Sequence, residues 1–181
     1  MRLLLDKVGI ELDGRIIYHK EHGAVLEGFR RVVKLNTRVN YIDGDGKELC
    51  SNDYEDGRDF HLGFARVMQN GLWGFINRKG EEFCKCQFKM LRDFFCHHAV
   101  GCDENGWHLI GEDGTILNEE GYDQVWYWGN GFVKVMKDGK YGLIDRNGVL
   151  IAKCVYDRID STTRAILNGE PAKVEFIKTA S

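Results

Sequence analysis

Seven side chains able to bind metal or act as nucleophiles fall within 25 residues: Cys84, Cys86, Cys96, His97, His98, Cys102 and His108. Thiolate sulfur and imidazole nitrogen form the ligand set of zinc, and a thiol beside an imidazole is an activated nucleophile. Spacing speaks against both chemistries for most of the set. Zinc ligand pairs are usually separated on a turn by about two to four residues. Cys84 and Cys86 flank a single residue, the spacing of neighbours on one face of a strand. Cys84 lies 34 residues after Cys50, Cys86 lies 68 before Cys154, and Cys102 is midway between Met68 and Met136. Positions that recur in this way are scaffold positions, where a thiol serves as a small apolar side chain. Cys96, His97 and His98 are the weak metal candidates, and the two histidines have no counterpart elsewhere in the chain. No Gly-flanked nucleophile elbow, P-loop, dinucleotide fingerprint or metalloprotease motif accompanies them.

The interval of 34 governs the whole chain. Ile42, Ile76, Ile110 and Ile144 keep it, as do Tyr54, Phe88, Tyr122 and Tyr156, and Gly46, Gly80, Gly114 and Gly148. A fixed period of tens of residues marks a repeat architecture. In the second copy Phe64–Met68 alternates apolar and other residues, as a half-buried strand does. Asn70-Gly71 is a hairpin turn signal, Trp73–Asn77 is the next strand, and Gly80 closes a second turn before Glu81–Cys84. The last copy predicts strands at 132–136, 141–145 and 149–151 in the same way. Each copy is a three-stranded meander, too small to stand alone. Stacking the copies predicts a continuous core through Trp73, Phe75, Ile76, Trp107, Leu109, Ile110, Tyr141, Leu143 and Ile144. Asp43, Asp45, Asp113, Asp138 and Asp145 fall in the turns, where side-chain to backbone bonds explain them.

Subtracting the scaffold leaves two aromatics. Phe60, Phe94 and Trp128 share the period and are predicted core. Trp126 and Tyr127 stand where the other copies carry Arg58 and Asp59, Arg92 and Asp93, and Asp160 and Ser161. Two large aromatics at positions that are otherwise polar are the candidate binding residues. Arg30, Arg31, Lys34 and Arg38 form a basic cluster on the first copy, read as a solvated strand face, with phosphate contact as the alternative.

The composition agrees with a repeat of tight turns. The chain of 181 residues has 22 Gly, one Pro, 43% hydrophobic and 29% charged residues. Abundant Gly serves turns, and scarce Pro leaves donors free for sheet ladders. The net charge of −3 predicts no general attraction to nucleic acid or an anionic membrane. No apolar run reaches the length of a membrane span, and Asp6 interrupts the opening Leu run before signal-peptide length. The expected location is the cytoplasm, with six free thiols.

The motifs Gly63-Phe64-Ala65-Arg66-Val67 with Gly71-Leu72-Trp73-Gly74-Phe75-Ile76-Asn77, and Gly139-Lys140-Tyr141-Gly142-Leu143-Ile144-Asp145 with Tyr156-Asp157, resemble the WG repeat, a bacterial β-repeat family. The likeness covers about residues 28–160. Val39 and Tyr141 replace the family's Trp, and His108 follows the Trp of the third copy. The resemblance implies an array of β-hairpin repeats and no particular reaction. The expected fold is all-β, about four and a half meander repeats around a continuous core, with a closed barrel or propeller-like ring as the alternative. Residues 1–27 read as a partial capping copy, 28–160 as four repeats, and 161–181 as a tail or closing strand. The expected function is a non-enzymatic protein-binding module without cofactor or metal. One alternative is a small phage or mobile-element inhibitor of a macromolecular enzyme such as a nuclease. The other is a metal- or thiol-dependent enzyme using the third repeat.

Overall fold

Alternating apolar residues separated by tight turns fold here into strands, and the described residues contain no helix. The computed structural model describes residues 20–34, 36–118, 120–127, 131–160 and 162–177. The partial copy expected over 8–18 and the expected core residue Trp128 lie outside them. The chain divides into two units, Met1–Phe95 and Cys96–Ser181.

The first unit holds β1 (Lys20–Leu26), β2 (Phe29–Val33), β3 (Val39–Ile42), β4 (Asp56–Gly57), β5 (Phe64–Gln69), β6 (Leu72–Asn77), β7 (Glu82–Phe88) and β8 (Met90–Leu91). Its antiparallel sheets run β1-β2-β3 and β4-β5-β6-β7. The second unit holds β9 (His98–Cys102), β10 (Trp107–Gly111), β11 (Gln124–Tyr127), β12 (Val133–Lys137), β13 (Lys140–Ile144), β14 (Leu150–Tyr156), β15 (Arg158–Ile159), β16 (Arg164–Leu167) and β17 (Glu170–Lys173). Here β9 pairs with β10, and the sheets run β11-β12-β13-β14 and β15-β16-β17. Every strand order is linear, so the fold is an all-β series of meander repeats, and among the described residues no closed barrel is seen. Residues 174–177 follow β17 outside any strand, and Ile177 N donates to Ile151 O at 2.7 Å.

The strands match the sequence pattern, with a longer third strand in two copies. β7 and β14 run on past Cys84 and Ile151 to Phe88 and Tyr156, so these aromatics end a strand. The hairpin turns behave as their residues require: Asn70 and Gly71 have φ of 53° and 72°, and Asp138 and Gly139 have 52° and 72°. Two consecutive left-handed residues form the primed turn that suits twisted strands. Asp43 Oδ1 accepts from Asp45 N at 3.0 Å and Lys47 N at 2.9 Å, and Asp145 Oδ1 from Asn147 N at 2.8 Å and Val149 N at 2.9 Å.

Copies two and four differ from copies one and three in their third strand. β7 lies so close to β6 that a Cβ on Gly74 would sit 2.5 Å from Cys84 O and 2.7 Å from Cys86 N. Gly142 stands in the same way against β14, with Ala152 O at 2.7 Å. The Gly that follows the aromatic is therefore a condition for the third strand. In the other two copies Asn40 and His108 occupy that position, and among the described residues no regular third strand pairs with β3 or β10. Isolated bridges stand in for it, Val39 to Tyr54 and Ile42 to Glu48, then Trp107 to Tyr122 and Ile110 to Ile116.

Both replacement side chains are buried and hydrogen-bonded. Asn40 Oδ1 accepts from Tyr41 N at 2.7 Å and Cys50 N at 3.2 Å, while Nδ2 donates to Cys50 O at 3.1 Å and Asp53 Oδ1 at 2.8 Å. In the third copy Asn118 Oδ1 accepts from Leu109 N at 2.6 Å, and its Nδ2 reaches His108 Nδ1 at 3.3 Å. An amide side chain thus satisfies backbone donors that a regular strand would otherwise pair.

Of the predicted core residues, Phe75, Ile76, Trp107, Leu109, Ile110, Leu143 and Ile144 are buried. Trp73 and Tyr141 are only half-buried. Cationic side chains lie over both rings, and Tyr141 also packs against the buried cluster of Leu143, Ala152, Tyr156 and Ile159. In the first unit the core joins Val39, Tyr41, Tyr54, Phe60, Val67 and Ile76, from two successive copies. In the second it joins Val100, Trp107, Leu109, Val125, Val135 and Ile144. Phe94 packs on Phe64 and Phe75, with ring centres 4.4 and 4.8 Å apart.

Candidate binding site

Three adjacent strands of the second unit build the site. β11 carries Trp126, β12 carries Lys134, and β13 carries Tyr141. Trp126 stands directly opposite Lys134 in the β11–β12 register, which places both side chains on one face. The Trp126 and Tyr141 rings lie 5.8 Å apart and tilted by 39°. Lys134 Nζ sits 5.2 Å from the centre of each ring. An ammonium held against two aromatic faces is a cation–π arrangement. Burial, and then the positive Arg158 on β15, push the Lys134 amine below its ordinary pKa. All three residues are half-buried, so the stack keeps an exposed side.

The same arrangement occurs 68 residues earlier with other side chains. Arg58 Cζ lies 4.9 Å from the Trp73 ring centre and Arg66 Cζ 5.9 Å from it. Trp126 therefore takes the place of Arg58, Lys134 that of Arg66, and Tyr141 that of Trp73. Trp126 has a packing role in the repeat that the sequence reading did not assign to it. Arg66 Nη1 donates to Leu91 O at 2.6 Å and Nη2 to Asp93 Oδ2 at 2.9 Å, and Arg58 Nη1 donates to Asp56 Oδ1 at 2.8 Å. Sequence reasoning missed Lys134 and Tyr141 because it compared copies 34 residues apart. Comparison at 68 would have found them, since the cation of Arg66 and Lys134 recurs only in alternate copies, with Val32 and Val100 at the same position in the others. Tyr127 ends β11 opposite Val133, and its side chain lies outside the described atoms.

The Cys/His stretch is dispersed. Cys96 and His97 have φ of 48° and 72° and form the two-residue turn that Leu62 and Gly63, at 51° and 89°, form one period earlier. This supplies the repeat position that His97 lacked in the sequence. His97 Nδ1 lies 2.9 Å from Glu112 Oε1, and His98 Nδ1 donates to Cys96 O at 3.0 Å. Among the described residues no group of three or more His, Cys, Asp or Glu side chains could hold a metal ion. His108 is buried away from that turn. With Asn118 Nδ2 donating to its Nδ1, the ring proton is on Nε2, which donates to Asp103 Oδ1 at 3.1 Å. Burial pushes the Asp103 carboxyl up, but hydrogen bonds from Asn105 N and His108 outweigh it and hold its pKa below the usual value.

The thiols follow their burial. Cys50 and Cys84 are buried, and desolvation pushes both to about 12. Cys86 and Cys154 are raised by the same cause, and Cys96 is exposed. The basic cluster of the first copy is largely neutralised within the chain. Arg31 Nε meets Asp59 Oδ1 at 3.0 Å, Lys34 Nζ meets Asp53 Oδ1 at 2.7 Å and Glu48 Oε2 at 2.8 Å, and Arg38 Nη1 lies 3.7 Å from Glu55 Oε1.

A family profile described as "WG containing repeat" matches residues 41–73, 73–96, 110–141 and 141–163, more than half of the chain. No curated protein matches it by sequence. Among solved structures, it is similar to the computationally designed Ika8 protein, at 14% identity and a TM-score of 0.40 over 91% of this chain and 60% of that one. It is also similar to the WD40 β-propeller domain of Doa1, at 12% identity and a TM-score of 0.35 over 77% of this chain and 57% of that one. The chain thus spans less than two thirds of either.

Proposed function

This chain belongs to the WG-repeat family, and on that premise we propose that it is a non-catalytic protein-binding module whose contact surface centres on Trp126, Lys134 and Tyr141. One observation carries the reading. The repeat preserves the strand, turn and core positions, while the half-buried stack changes from Arg58 over Trp73 to Trp126 over Tyr141. Varying the exposed face of a constant scaffold is how repeat arrays make recognition surfaces. Half-exposed Trp and Tyr beside a cation are the residue types that anchor protein interfaces.

The test uses protein captured from the native host, identified, repurified and measured by calorimetry. Trp126→Ala should shift the melting temperature by no more than about 2–4 °C, the change that roughly 1 kcal/mol makes in a domain of this size. The same variant should weaken binding by about 2 kcal/mol, as loss of an aromatic anchor does. Equal binding by the variant, or a large stability loss without a separate binding defect, refutes the assignment.

A further inference from the structure

Strand alternation fixes which side chains of the sheet β15-β16-β17 face outward. Ile159 and Ala165 are buried, and Leu167 and Ala172 pack with them against Leu143, Ala152 and Tyr156 of the preceding sheet. The alternate positions, Arg158, Arg164, Ile166, Pro171 and Lys173, therefore point to the other side. Ile166 is half-buried and the other four are exposed. The register sets Arg164 directly opposite Lys173, and Ile166 between Arg158 and Pro171.

The preceding sheet shows what this face becomes when it is covered. β12–β13 and β16–β17 align on their turns, Asp138-Gly139 and Asn168-Gly169, each with two left-handed residues. Leu143 stands opposite Lys134 and is buried. Its counterpart Lys173 stands opposite Arg164 and is exposed. A face that no further sheet covers must be polar, and either sign of charge would serve. Here the outward positions hold three cations and no acid. Arg164 against Lys173 is a like-charge cross-strand pair, which weakens a sheet. Among the described residues none of the three cations is ion-paired. The acids flanking Arg158 in the chain are committed elsewhere. Asp157 accepts from Lys140 Nζ and from Gly169 N, and Asp160 Oδ1 accepts from Thr162 N and Arg164 N within its own turn. Solubility alone does not call for this arrangement. The edge of the sheet is a poorer docking element than its face, since β17 carries Pro171 and proline blunts an edge strand.

We infer that the outer face of β15-β16-β17 docks an acidic segment of a partner protein, its carboxylates meeting Arg158, Arg164 and Lys173 and an apolar side chain lying on Ile166 and Pro171. The inference rests on the protein-binding reading above for the class of partner, and adds a second surface to the one at Trp126. Charge complementarity selects the acidic segment. The apolar row of Ile166 and Pro171 between the cations favours a peptide over a nucleic-acid backbone, and the net charge of −3 disfavours a long polyanion.

A random dodecapeptide display library panned on the full chain tests this. Selected peptides should be enriched in Asp and Glu over the input. The best of them should bind at least about tenfold more weakly to Arg158→Gln/Arg164→Gln/Lys173→Gln, the loss expected for charge-assisted contacts. Lys173→Glu, which sets an acid opposite Arg164, should weaken the peptide to a similar extent. It should also raise the melting temperature by about 2–4 °C, because an opposite-charge pair replaces a like-charge one. Peptides selected without acid enrichment, or bound equally by these variants, overturn the docking face, as does the selection of no peptide at all. The protein-binding reading is then still judged separately, by Trp126→Ala against the captured partner. Binding of a mixed-sequence single-stranded oligonucleotide that is lost in the triple variant, without acidic peptides, assigns the face to phosphate and overturns the proposal.

Discussion

Gly74→Ala tests the claim that the Gly after the repeat aromatic exists to admit the third strand. A Cβ there would lie 2.5 Å from Cys84 O, 2.7 Å from Cys86 N and 2.8 Å from Lys85 C, all backbone atoms of β7. Reaching an ordinary contact of 3.4 Å requires β7 to retreat by about 0.9 Å, because no flexible side chain can yield instead. The retreat strains the pairing of Phe75 with Cys84 and Trp73 with Phe88. Overpacking costs about 1–3 kcal/mol, and each weakened ladder hydrogen bond adds up to about 1 kcal/mol. The expected loss is about 3 kcal/mol, or roughly 6–12 °C in melting temperature. Thermal unfolding followed by circular dichroism measures it. Gly44→Ala is the control, since nothing lies within 4 Å of its Cβ position, and it should stay within about 0.5 kcal/mol of the parent. A Gly74→Ala melt within about 2 °C of the parent would refute the close-approach account.

Asn40→Ala should lower stability by about 2–4 kcal/mol in guanidinium unfolding, because it strands the amides of Tyr41 and Cys50 and the carbonyl of Cys50; a loss under about 1 kcal/mol would mean that water replaces the side chain. The Asp103 carboxyl is held low in the folded state, so it contributes stability above its unfolded pKa that is lost as the pH falls through the carboxylate range. Asp103→Asn should therefore flatten the acid limb of a stability–pH curve, and an unchanged limb counts against the Asn105 and His108 contacts. With an aromatic disulfide reagent Cys96 should react first, while Cys50 and Cys84, raised to about 12 by burial, wait for unfolding; early labelling of either, read by mass spectrometry, would show that the core opens. Protein purified without added metal should hold well under one zinc per chain, and one retained ion that is lost in Cys96→Ser or His98→Ala would reverse that expectation.

The local features of this protein were legible in its sequence because short-range rules produce them. The alternation in Phe64–Met68 predicts β5, and Asn70-Gly71 and Asp138-Gly139 predict their turns, since left-handed φ values suit those residues. The 34-residue recurrence predicts which of the aliphatic positions are buried, because every copy must offer the same face to its neighbour. What lay beyond the sequence depends on contacts between strands far apart in the chain. Trp73 and Tyr141 read as core, yet cations cover their rings, Arg58 and Arg66 in one unit and Lys134 in the other. Trp126 read as an exception to the scaffold, and it fills the place of an arginine in an equivalent stack. His97 read as unexplained, and it closes a left-handed turn. Periodicity shows which positions correspond. Which strand approaches closely enough to exclude a Cβ, and which charge then lies over which ring, is decided by tertiary packing, because those distances are set by the pairing of whole strands and not by the residues along one of them.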